Sequence, residues 1–127
     1  MLSLTAPHAP LRPGHEHKGH SRAGLYGDVV EEVDAGVGRI MAALDRLGLA
    51  DDTILIVTSD NGPWFEGSAG PYRAGKGASG WDGGYRVPFI VRWPGRIRAG
   101  RVSDAIAMNF DLMPTLIGLA GLAPPEV

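Results

Sequence analysis

The sequence predicts an α/β fold, and three observations predict it. Residues 25–47 carry apolar side chains at helical spacing, residues 53–58 are apolar on both faces, and residues 87–92 form a second short apolar run. A helix followed closely by a doubly apolar strand is half of an α/β unit, in which a sheet is covered by helices. The chain's 127 residues make one small domain at most, with an ordinary globular balance of 44% hydrophobic and 20% charged residues.

Taken in order, Met1 to Thr5 alternates Leu2 and Leu4 with Ser3 and Thr5 and reads as the tail of a strand. It is too short to be a whole one, since strands usually run about five or six residues. A loop rich in Pro, Gly and His follows from Ala6 to Ala23. In the predicted helix, Leu25, Val29, Val33, Val37, Ile40, Met41, Leu44 and Leu47 recur every three or four positions. Asp28, Glu31 and Glu32 in its early turns and Arg46 in its last suit the helix dipole, and Gly48 stops it. Thr53 to Thr58 (TILIVT) suits the interior of a parallel sheet. Gly62 to Gly84 is a long glycine-rich excursion, Val87 to Arg92 a second strand, and Val102 to Met108 a short third. Asn109 is placed to cap a last helix, Phe110 to Leu119, with Asp111 in its first turn.

Several function classes are excluded by composition. A net charge of -2 argues against non-specific nucleic-acid binding, which needs clustered Lys and Arg. No apolar run approaches the roughly 20 residues of a membrane-spanning helix. The chain has no cysteine, hence no disulfide and no thiolate metal site.

Chemistry-bearing residues gather at the end of the apolar run 53–58 and in the loops. Asp60 and Asn61 leave the strand at its C-terminal edge, where ligands bind in open α/β sheets. A carboxylate and an amide carbonyl are hard ligands for calcium or magnesium, although Asp-Asn-Gly is also an ordinary turn. GPYRAGKG, residues 70–77, has Gly70, Gly75 and Lys76 of a P-loop, but Gly77 stands where the metal-binding hydroxyl belongs. It neither follows a strand directly nor opens a helix, so a nucleotide P-loop is not the reading. Lys76 between two glycines still presents one ammonium to some other anion, or to solvent. His8, between Pro7 and Pro10, has a stiffened backbone that aims a ring able to donate a proton. His15, His17 and His20 lack the helical H-E-x-x-H spacing of a metal site and read as a solvated loop.

Seven motifs in order then resemble one family. They are Pro7-His8-Ala9-Pro10-Leu11, the run from Gly24 to Asp34, Thr58-Ser59-Asp60-Asn61-Gly62-Pro63, Gly75-Lys76-Gly77, Gly83-Gly84-Tyr85-Arg86-Val87-Pro88, Trp93-Pro94-Gly95, and Asp111-Leu112-Met113-Pro114-Thr115-Leu116. Together they resemble the sulfatases, of the alkaline-phosphatase-like superfamily. The resemblance implies a partial sulfatase sheet with flanking helices, and one partial catalytic domain over residues 1–127. It implies a sulfuric ester hydrolase acting on sulfate-ester small molecules or glycans. It makes Asp60 and Asn61 ligands of a divalent metal, usually calcium, and it makes Lys76 and His8 the contacts to the sulfate and the leaving oxygen. Asp82 stands where many relatives carry Glu.

The family's nucleophile is a formylglycine made from Cys or Ser in a C/S-x-P-x-R motif, and no such motif occurs here. The expectation is therefore a piece of the catalytic domain that is inactive alone. Two alternatives remain. A phosphodiesterase or phosphatase of the same superfamily often has His after the metal-binding Asp, where Asn61 favours a sulfatase. A non-catalytic binding module would show no metal dependence.

Overall fold

The computed structural model describes residues 1–77 and 80–123. Helix α1 spans Gly24–Arg46, strand β1 Leu55–Thr58, the single turn α2 Asp82–Tyr85, strand β2 Phe89–Arg92, and helix α3 Leu112–Leu119 after a 3-10 turn at Asn109–Asp111. The molecule mixes helices with a small sheet.

Helix α1 forms where the apolar period places it and ends for a visible reason. Gly48 takes φ 67°, and its N–H reaches the Asp45 carbonyl at 3.1 Å while the Leu49 N–H reaches that of Leu44 at 2.9 Å. Those two bonds satisfy carbonyls that the helix end would leave unpaired. The same arrangement closes α3 at Gly121. The start of α1 departs from the dipole reading, because its first turn holds no acid. Asp28 and Glu32 instead serve the preceding loop. The Asp28 carboxylate accepts the N–H groups of Gly19 and Ser21, each at 2.8 Å, and Glu32 accepts that of Gly14 at 2.8 Å. Asp28, 2% exposed, and Val29, 4% exposed, mark the most enclosed point of the helix.

Strands β1 and β2 pair antiparallel, Leu55 opposite Arg92 and Thr58 opposite Phe89. This corrects the parallel setting expected for TILIVT. Parallel neighbours need a crossover, usually a helix, to bring the chain back to the same end. Among its described residues the intervening segment carries only the four-residue α2, and it folds back onto its own start, where the Gly62 N–H meets the Gly84 carbonyl at 2.9 Å. The chain therefore enters β2 beside the exit of β1. Two contacts tie the far end of β2 to the last turn of α1 and to the turn that follows it. Arg92 Nη2 lies 3.3 Å from Asp45 Oδ1, and Trp93 Nε1 donates to the Asp51 carbonyl at 3.1 Å.

Three expected elements differ. Residues 1–5 and 102–108 are not strands, because neither finds a ladder partner among the described residues. The last helix begins at Leu112, and Asn109 does not cap it. Asp111 Oδ2 accepts the Met108 N–H at 2.7 Å, while the Asn109 amide donates to the Ser59 carbonyl at 3.1 Å.

The accessible surface is 10236 Å². A compact monomer of 13.4 kDa shows about 6,500 Å². Val29 is the sole buried apolar side chain among the described residues, while Ile90, Val102, Ile106, Phe110 and Met113 are largely open.

Candidate active site

The site begins where β1 ends. The three segments that follow it meet through backbone hydrogen bonds. Besides the Gly62–Gly84 bond, the Lys76 N–H donates to the Pro63 carbonyl at 2.8 Å, and the Gly83 N–H donates to that of Arg73 at 3.0 Å. Such contact demands glycine. A Cβ on Gly62 would collide with the Gly83 carbonyl oxygen, and one on Gly83 would collide with that of Ala74 and stand 2.5 Å from that of Arg73. Backbone atoms cannot swing aside as a flexible side chain does. The Asp60–Asn61 turn, the lysine loop and the paired glycines are thus one unit. Helix α1 abuts it, since a Cβ on Gly67 would lie 2.9 Å from Tyr26 Oη.

Within this unit Asn61 Nδ2 donates to Asp60 Oδ1 at 3.0 Å, and Ser59 Oγ lies 3.4 Å from the same oxygen. Asp60 Oδ2 and Asn61 Oδ1 accept no hydrogen bond among the described residues. These two oxygens fit a divalent cation as a minority of the six to eight that calcium takes. The described residues contain no group of three or more His, Cys, Asp or Glu side chains placed to hold a metal. Lys76 is half-buried and forms no ion pair among the described residues.

The loop does not take up P-loop geometry. Gly70 and Gly77 both have positive φ, 61° and 82°, and the next described helix begins only at Asp82. His8 is exposed, its N–H bound to the Thr5 carbonyl at 2.9 Å and its Nδ1 2.7 Å from the Ala9 carbonyl. A carbonyl only accepts, so Nδ1 carries the proton in this contact. No hydrogen bond or ion pair among the described residues joins His8 to the Asp60–Lys76 unit. The loop holding His15, His17 and His20 is anchored to α1 by Asp28 and Glu32. The Gly19 and Ser21 N–H groups hold the Asp28 carboxyl below the usual carboxylate range, against a smaller opposing effect of burial.

Asn109 makes a contact to the strand end that sequence reasoning missed. Its amide grips the Ser59 carbonyl, one residue before Asp60. An Asn ahead of an apolar run carries the signal of a helix cap, and nothing local reveals a partner 50 residues away.

A strand-end Asp-Asn pair beside a pinned lysine defines a mixed α/β protein with a candidate anion site at the strand's C-terminal edge. The Sulfatase family model matches residues 1–122. The chain is 43% identical to the steryl-sulfatase of Homo sapiens over 136 aligned positions, covering 99% of this chain and 23% of that protein. It is 43% identical to the N-acetylgalactosamine-6-sulfatase of Canis lupus familiaris over 130 positions, covering 98% of this chain and 25% of that one. A solved structure from Bacteroides thetaiotaomicron, connected with the metabolism of multiple glycosaminoglycans, superposes with a TM-score of 0.88 at 36% identity, over 97% of this chain and 28% of that one. The chain belongs to the sulfatase family. It spans about a quarter of the length of these curated relatives.

Proposed function

We propose that this chain supplies the anion-binding half of a sulfate-ester hydrolase site, with Lys76 and His8 as its catalytic residues and Asp60 and Asn61 as metal ligands. The carrying observation is the Lys76–Pro63 backbone bond, which fixes the lysine backbone two residues from Asn61 in a sulfatase-family chain. In this reading the Lys76 ammonium meets the non-bridging sulfate oxygens and stabilises charge that grows as the ester breaks. His8 in its imidazolium form carries a proton on Nε2 and delivers it to the bridging oxygen as the S–O bond opens, so the alcohol leaves neutral while the sulfuryl group passes to a nucleophile that these 127 residues do not supply. Asp60 Oδ2 and Asn61 Oδ1 would hold a divalent cation, calcium by family likeness. When bound, such a cation supplies Lewis-acid polarisation of the sulfate.

The substrates proposed are sulfate esters of small molecules or glycans, the groups that the relatives' names describe. The 127 residues contain neither Cys nor an S-x-P-x-R run, hence no precursor of the family's formylglycine. The chain alone is accordingly proposed to be inactive. An aryl sulfate assay tests this: turnover clearly above that of a His8→Ala, Lys76→Ala double variant would contradict it. Calorimetry with calcium tests the metal ligands: weak binding is expected in the unaltered chain, whose two donors are a minority of the shell, and its loss in Asp60→Ala.

A further inference from the structure

Three residues before Lys76, on the same loop, stands a second cation that the reading above does not use. This is Arg73, whose Cα is within about 11 Å of that of Lys76. Its guanidinium carbon stands 3.8 Å from the centroid of the Trp81 ring. Both residues are fixed through their backbones by one pair of glycines. The Gly83 N–H binds the Arg73 carbonyl and the Gly84 N–H that of Trp81, each at 3.0 Å. A guanidinium stacked by its face keeps its N–H donors free around its edge, in the fork that fits a sulfate or carboxylate. Arg73 has no carboxylate within ion-pair distance among the described residues. Arg86, stacked on Tyr72 at 4.4 Å, differs because Asp82 lies 4.0 Å from it.

We propose that Arg73 and Trp81 form a second anion-binding subsite beside Lys76, which selects oligosaccharides bearing a second acidic group near the ester to be cleaved. The proposal rests on Lys76 as the first sulfate contact. Arg73 binds the second anion with its edge, and the open part of the Trp81 ring, 43% exposed, offers an apolar face to the sugar between them.

The probes are a disulfated N-acetylgalactosamine disaccharide and its monosulfated counterpart, each titrated calorimetrically into the full chain. The disulfated probe is expected to bind up to about fivefold more tightly, the upper end of what one solvent-exposed ion pair provides. Arg73→Gln should remove that preference and leave monosulfate affinity unchanged, with Gly83 amide protection confirming that the loop remains pinned. Arg101→Gln, on a different loop, controls for charge alone and should keep the preference. A preference surviving Arg73→Gln, or equal affinities in the unaltered chain including no measurable binding of either probe, overturns the second subsite. Monosulfate affinity unchanged in Lys76→Ala instead strikes the reading of Lys76.

Discussion

Replacing Gly83 by alanine should release the lysine loop. The added Cβ would collide with the Ala74 carbonyl oxygen and stand 2.5 Å from that of Arg73, and both are backbone atoms. Overfilling a tight contact costs about 1–3 kcal/mol, and the Gly83–Arg73 hydrogen bond is worth about 1 more, so the pinned state loses roughly 2–4 kcal/mol. The assay is amide hydrogen exchange, which reads local opening directly. Exchange at the Lys76 and Gly84 amides should accelerate roughly 30- to 1,000-fold, at 1.4 kcal/mol per tenfold. The amides of α1 between residues 36 and 46 should not change. Unaltered protection at Lys76 would refute the claim that these glycines hold the lysine in place.

The remaining predictions concern separate parts of the molecule. Gly38→Ala should stabilise α1 by up to about 1 kcal/mol, because a Cβ there meets nothing within 4 Å and alanine favours the helix; thermal melting reads it. Asp28 has a lowered pKa when folded, so its contribution is complete above the unfolded value near about 3.9 and is lost as pH falls through the folded value. Exchange at Gly19 and Ser21 should therefore rise relative to the α1 amides in acid, and Asp28→Asn should abolish that pH dependence. The chain shows roughly 3,700 Å² more surface than a compact monomer of its mass, over twice a standard interface of about 1,600 Å². Sedimentation should show association as concentration rises, and a monodisperse monomer with a cooperative melt would contradict this.

Local features of this fold were legible and long-range ones were not. Helix α1 could be read because its apolar period and Gly48 lie in one continuous stretch. The strands were visible as apolar runs, but the direction of their pairing depends on how residues 59–88 return, and no local pattern encodes that. Asp28 and Glu32 looked like dipole partners because their spacing from the helix start is all a sequence shows, whereas the loop they bind precedes the helix. The candidate site divides in the same way. Asp60, Asn61 and Lys76 stood out by chemical type, and the family motifs put them in order. Their union rests on Gly62, Gly75 and Gly83, whose meaning emerges only when three backbone segments meet.

The most direct test of the central claim uses the chain's two lysines, Lys18 and Lys76. Affinity for 4-nitrophenyl sulfate should be measured by calorimetry in the unaltered chain and in each lysine-to-alanine variant. A charge-assisted contact predicts about a tenfold or greater loss in Lys76→Ala and no change in Lys18→Ala. Equal affinities in the two variants would contradict the assignment of the glycine-flanked lysine as the sulfate contact.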